Sequence, residues 1–213
     1  MHKLNRSEAP SCLSKHIAKN HTWDKVYSSQ KRKIWTRLEQ MQGPRCGYCE
    51  IEIPRNGRKR DGHIEHFEQR AKVPHKTFDW HNLFGSCNRS DSCGTFKDKQ
   101  TYLPQDLIKP DIEDPEKFLI FVSDGTVKAR EGLSTADKHR ADETIRIFHL
   151  GGSLVGEREP VVKPYIETAE TLLELLELDD GVEQYTAALN KELAAIQGLP
   201  FETAIRHTLC KQN

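Results

Sequence analysis

Cys46-Gly47-Tyr48-Cys49 and Cys87-Asn88-Arg89-Ser90-Asp91-Ser92-Cys93 bracket a segment that carries Gly62-His63-Ile64-Glu65-His66-Phe67 and Asp79-Trp80-His81-Asn82-Leu83. Two thiolates separated by two residues can meet one ion from a tight knuckle, and a second pair completes a closed tetrahedral site for Zn²⁺. The second pair is spaced by five residues, and Ser90, Asp91 and Ser92 suit a surface turn between its members. A disulfide framework is the competing reading, but it belongs to small secreted chains. No apolar leader follows Met1 and no run is long enough to span a bilayer, so the expectation is a cytoplasmic protein, away from membranes. In that reducing setting Cys46, Cys49, Cys87 and Cys93 hold a structural zinc, which can contribute on the order of 10 kcal/mol to folding. Cys12 and Cys210 lie far from these pairs and read as plain thiols.

The charge is divided along the chain. The 213 residues have a formal net charge of zero, yet residues 1–100 hold 20 Lys and Arg against 11 Asp and Glu, whereas residues 101–213 hold 12 against 21. Seven of the ten histidines fall in the basic half. The half that carries the cysteines is therefore the one suited to phosphate, and the acidic half is suited to a protein partner.

Element signals suggest an α+β chain in three parts. Residues 1–43 form an extended arm followed by one or two amphipathic helices, with Trp23, Val26, Tyr27, Ile34, Trp35, Leu38 and Met41 at helical spacings before Gly43-Pro44. In residues 44–101, Glu50 to Pro54 reads as a strand, 55–62 as a basic turn, and Gly62 to Phe67 as the returning strand, with a helix opening after Cys93. Residues 102–213 are mainly helical. Lys117 to Val127 reads as a strand pair turning at Asp124-Gly125, and helices are expected over Thr135 to Leu150, Pro164 to Leu178 and Glu183 to Ile196. The leucines at 172, 173, 175, 176 and 178 are too many for one narrow stripe, so they form either a core or a partner-binding face.

From Cys46 to Lys99 the wording resembles the HNH, or ββα-metal, nuclease superfamily. His63-Ile64-Glu65-His66-Phe67, Asp79-Trp80-His81-Asn82-Leu83, Ser86-Cys87-Asn88 and Cys93-Gly94-Thr95-Phe96-Lys97-Asp98-Lys99 are similar to the HNH subunit of Septu-type antiphage systems, which also occurs with retrons. The resemblance implies a zinc-stabilised ββα core. It also implies an ABC/AAA-like ATPase partner and the possible company of a retron reverse transcriptase and its msDNA. No Walker motif occurs in the chain itself.

Phosphodiester hydrolysis needs a base for the attacking water and a cation for the charge that grows on oxygen. The resemblance places His66 as general base, Glu65 as a ligand of a catalytic Mg²⁺ or Mn²⁺, and Asn82 as the residue that ties down the loop and orients the base. Where many HNH sequences carry a second metal ligand, just after the last cysteine, this chain has Gly94. Asn88 is the nearest substitute donor, with Asp91 and Asp98 behind it, and His63 is a further candidate on the strand face of Glu65. Arg58, Lys59, Arg60, Arg70, Lys72 and Lys97 are expected to hold nucleic-acid phosphates, which gives affinity without sequence preference. A rival from another class is a non-catalytic zinc-ribbon adapter that binds nucleic acid. A narrower rival is an HNH nuclease acting on RNA, such as tRNA.

Overall fold

The helix that carries the fold's first apolar stripe is α2 (Ser28–Gln42), preceded by α1 (Cys12–Ala18) and a 3₁₀ turn at Trp23–Lys25. The computed structural model describes residues 1–18, 22–57 and 59–210. In α2, Ile34, Trp35, Leu38 and Met41 are buried at the three- and four-residue spacing of one helix face. Gln30 starts the helix by accepting the Tyr27 N–H at 2.9 Å, and Gly43, with φ of 67°, ends it. Gln42, buried in the last turn, acts as a substitute strand: its amide exchanges hydrogen bonds with Gly85, accepting N–H at 2.9 Å and donating to the carbonyl at 2.8 Å. A Cβ at Gly85 would stand 2.7 Å from both Gln42 and Trp35, so the close approach of α2 requires glycine there.

Two small hairpins and a third beyond them supply all strands among the described residues. β1 (Arg55–Asn56) pairs with β2 (Lys59–Arg60), and β3 (Gly62–His66) pairs antiparallel with β4 (Leu83–Cys87), with Glu65 opposite Phe84 and His66 opposite Leu83. The expected pairing of Glu50–Pro54 with Gly62–Phe67 is thus replaced. Residues 50–54 are spent on the metal knuckle, where Cys46 N–H bonds to the Ile51 carbonyl at 2.9 Å and Arg45 bridges to Glu52. α3 (Cys93–Lys97) follows β4.

The remaining chain wraps this centre. β5 (Leu119–Phe121) and β6 (Val127–Ala129) form the expected hairpin, followed by α4 (Thr135–Ile147), α5 (Leu154–Val162), α6 (Pro164–Glu174), α7 (Gly181–Ala195) and α8 (Glu202–Leu209). One apolar core runs from Met1 to Leu209. Phe148 stacks on Tyr48 with ring centroids 4.1 Å apart, and its carbonyl accepts the Cys93 N–H at 2.9 Å. Glu50, fully buried, takes the Met1 amine at 2.7 Å and the Thr203 N–H at 2.9 Å, which ties both ends of the described chain to the knuckle. The N-terminal stretch is therefore no free arm: Met1 and Leu4 are buried, and Leu4 N–H reaches the Pro110 carbonyl. No helix among the described residues is long and apolar enough to cross a membrane.

Candidate functional site

The four predicted cysteines converge. Their sulfurs lie within 4.8 Å of one another, all buried, with Cys49 and Cys87 Sγ 4.0 Å apart. Tetrahedral Zn–S bonds of about 2.3 Å place sulfurs about 3.8 Å apart, so the cage can bind a structural metal such as zinc. Burial pushes the Cys49 and Cys93 thiols well up; it opposes the charge on Cys46 as well, but hydrogen bonds from the other three cysteines outweigh it and hold Cys46 well below its ordinary value. A bound cation would displace the thiol protons and hold the sulfurs as thiolates. Backbone geometry serves the cage: Glu50 and Cys93 adopt left-handed φ of 67° and 55° to turn the two knuckles.

Glu65 and His66 end β3 and point to opposite sides, as strand alternation dictates. Glu65 turns toward α3. Its Oε1 lies 2.8 Å from Lys97 Nζ and its Oε2 3.2 Å from His63 Nε2, and the carboxylate is 2 % exposed. Gly94 is what makes room: a Cβ there would stand 2.5 Å from Glu65 Oε2. Gly94→Ala should therefore displace the Glu65 carboxylate and cost about 1–3 kcal/mol, read as a lowered midpoint in denaturant.

Lys97 corrects an expectation. It is fully buried, so it cannot reach a phosphate; its ammonium donates to the His66 carbonyl at 3.1 Å, Asp98 Oδ1 at 2.7 Å and Tyr102 Oη at 3.0 Å, and pairs in charge with Glu65. Burial works against its charge, but Glu65 outweighs that and holds its pKa above the ordinary value. The signal was present in the sequence, because Cys93 and Lys97 are four residues apart on one helix and must share the inward face. Lys97→Met leaves Glu65 buried without its cation and should destabilise the fold by about 3–5 kcal/mol, measured by urea unfolding.

His66 faces the loop between β3 and β4. Its Nε2 lies 3.0 Å from the Thr77 carbonyl, which fixes the proton on that nitrogen, and Nδ1 has no hydrogen-bond partner among the described residues. The Trp23 ring meets it edge-on at 4.6 Å. Burial lowers the imidazole pKa to about 4, so it is neutral near pH 7. Trp23 and Thr77, together with Gln69, Arg70 and Asp98, line an open cleft of about 680 Å³, and the buried His66 lies behind Trp23 and Thr77, touching both. Asn82, also buried, closes the loop: Oδ1 accepts the Glu68 N–H at 2.7 Å while Nδ2 donates to the carbonyls of Glu68 and Lys76.

The other predicted residues separate. Asn88 turns to His63 and Asp61 rather than to Glu65, with Oδ1 3.1 Å from His63 Nδ1 and Nδ2 3.0 Å from Asp61 Oδ1. Burial pulls the His63 pKa down, but Glu65 and Asn88 outweigh it and hold it above its ordinary value. Arg60 is engaged by Glu39 at 2.6 Å and lies over the Trp35 ring, which leaves it no free charge for phosphate. Arg70 and Lys72 are exposed, Arg70 beside Trp23 and Lys72 beside Tyr102. Arg58 lies outside the described residues, as does the side chain of Lys59.

No family model matches this chain. The chain is similar to Septu protein PtuB from Bacillus thuringiensis. The two are 27% identical over 185 residues, which is 82% of this chain. The match spans 65% of the length of the PtuB relative, somewhat less than two thirds of it. The matched share is large enough to take in most of the elements described above, the cysteine-bearing centre and helical remainder alike.

Proposed function

We propose that this chain is a metal-dependent HNH endonuclease of a Septu-type antiphage defence system, with β3, β4 and α3 as its ββα-metal core. The observation that carries the reading is His66: neutral, tethered at Nε2 to Thr77, without a hydrogen-bond partner at Nδ1 among the described residues, and in contact with two residues that line a cleft, Trp23 and Thr77. Such a nitrogen can take the proton of a water as its oxygen adds to phosphorus and the bond to the leaving sugar oxygen breaks. Thr77 holds the tautomer that leaves Nδ1 as acceptor, and Asn82 keeps the loop bearing Thr77 in place. Arg70 and Lys72 are the exposed cations left to hold the phosphate backbone. Glu65, anchored by Lys97, would hold a Mg²⁺ or Mn²⁺ ion, which supplies charge neutralisation at the phosphoryl and leaving oxygens when bound. Zinc at the four cysteines is structural. The similarity to PtuB supports a partner within a Septu system, which we take to be an ATPase; retron components are a further proposed company, in the cytoplasm.

Burial of His66 has a signed consequence for pH. Its folded pKa of about 4 lies below the ordinary 6.5, so the base form persists as the medium is acidified. The kcat/KM for cleavage should stay level from pH 7 down to about 5, where an unperturbed histidine would already have lost most of its base form. The matching contribution to stability is fully present above pH 6.5 and declines as pH falls toward about 4, because the unfolded chain takes up the proton first.

The adapter reading is favoured by one observation, the lack of a donor at Gly94. An adapter binds nucleic acid without divalent metal and leaves it intact. Divalent-metal-dependent cleavage of plasmid DNA or total RNA by the zinc-loaded protein with its ATPase supports the nuclease; tight binding with no cleavage in Mg²⁺ or Mn²⁺ supports the adapter.

A further inference from the structure

The place of a side chain on α3 is taken by a carboxylate from β3, and the consequence is a second ligand on the same strand. We infer that His63 Nε2, with Glu65 Oε2, is the protein half of the divalent-ion site, and that Asn88 orients His63 rather than binding the ion. The inference rests on the nuclease reading and deepens it.

Three contacts carry it. The two donor atoms are 3.2 Å apart, and two bonds of about 2.1 Å at a right angle place their donors about 3.0 Å apart. Each donor is turned to one spot by a fixed partner. Lys97 engages Oε1 of Glu65 and leaves Oε2 on the His63 side. The carboxylate of Asp61 accepts from Asn88 Nδ2, which directs the Asn88 carbonyl oxygen at His63 Nδ1, so Nδ1 donates there; Nε2–H donates to Glu65 Oε2 and would give up that proton to the medium when an ion takes its place. A carbonyl or carboxylate behind a ligating imidazole is the usual support for such a ligand. The side chain of His63 is one-third exposed while Glu65 is closed off, so the ion enters from the His63 side and completes its shell with water or phosphate oxygens. The Gly94 backbone stays essential, since any side chain there evicts Glu65. An imidazole paired with a carboxylate selects a first-row ion such as Mn²⁺ over Mg²⁺, which prefers an all-oxygen shell.

The test uses the zinc-loaded full chain, titrated with Mn²⁺ and followed by electron paramagnetic resonance, with nitrogen hyperfine coupling as the ligand signature. Wild type is expected to bind Mn²⁺ with nitrogen coupling. His63→Ala should lose the coupling and weaken binding at least about tenfold, Asn88→Ala should weaken binding by a smaller factor with coupling retained, and His66→Ala should change neither. His63→Gln, of similar bulk, is the second variant should His63→Ala lose zinc or helical signal, and it too should lose the coupling. Coupling that survives in either His63 variant, or wild type that binds no Mn²⁺ or binds it without coupling, overturns the assignment. Wild type that cleaves nucleic acid with no nitrogen coupling removes His63 and leaves the nuclease reading. Coupling lost in His63→Ala from a protein that cleaves nothing does the reverse.

Discussion

Stripping zinc from Cys46, Cys49, Cys87 and Cys93 is expected to unfold the chain from its centre outward. All four thiols are buried, and the segments that carry them meet elements from every part of the chain. The first knuckle leans on Gly85 through the Gly47 N–H at 2.9 Å, and the second on Phe148 through the Cys93 N–H at 2.9 Å. Phe201 N–H, in turn, bonds to the carbonyl of Glu50 beside Cys49. Loss of the ion thus frees α2, the β3–β4 hairpin, α4 and α8 together. A structural zinc site is worth on the order of 10 kcal/mol, comparable to the whole stability of a domain. Chelation, or Cys49→Ser, should abolish most of the helical circular dichroism, with zinc absent by elemental analysis. Unchanged dichroism in a zinc-free protein would contradict the structural role.

His66→Ala should lower cleavage by about 10²–10⁴-fold while leaving zinc content and Mn²⁺ binding intact. The ring contributes no bond to β3–β4 pairing, which is backbone, and its own hydrogen bond goes to the Thr77 carbonyl. Its removal opens space against Trp23 but spares Glu65, His63 and Lys97. A neutral buried histidine opposes folding in acid, so the variant should be relatively more stable than wild type between about pH 4 and 6.5, where the unfolded wild-type chain would be protonated. Cleavage that survives at full rate would remove His66 as the base, whatever the metal does.

Much of the centre was legible because its signals are chemical and local. Cysteine spacing predicted the cage that the four sulfurs form, whereas the roles read for Glu65, His66 and Asn82 from their shared motif belong to the proposal. The strand partner of Gly62–His66 was not legible. Leu83–Cys87 is buried on both faces, so it lacks the alternation that marks a half-exposed strand, and the nearer Glu50–Pro54 offered a shorter loop. Likewise α5 carries Pro160 and Gly156 and has no apolar stripe, and α8 is a short helix entered through Phe201 in a left-handed conformation. Tertiary burial, not propensity, holds both: Leu154 and Val162 in α5 and Ile205 and Leu209 in α8 are inside the core. The leucines near 172–178 divide as well. Leu172 is buried while Leu176 and Leu178 are exposed beside Val182, so the stripe is core on one side and bare on the other. Lys97 was misread because basic residues near a proposed nucleic-acid site are expected outside, and only its helical phase with Cys93 argued for the interior.

The central claim is that His66 serves as the base of a metal-dependent phosphodiester hydrolysis. Cleavage of plasmid DNA and of total RNA should be compared for wild type and His66→Ala, both zinc-loaded and with the proposed ATPase partner, in Mg²⁺ and in Mn²⁺. Cleavage by wild type that needs the divalent ion and is lost in the variant is the predicted result, and it names the substrate. Equal cleavage by both proteins, or none by wild type in an assembled and triggered complex, contradicts it.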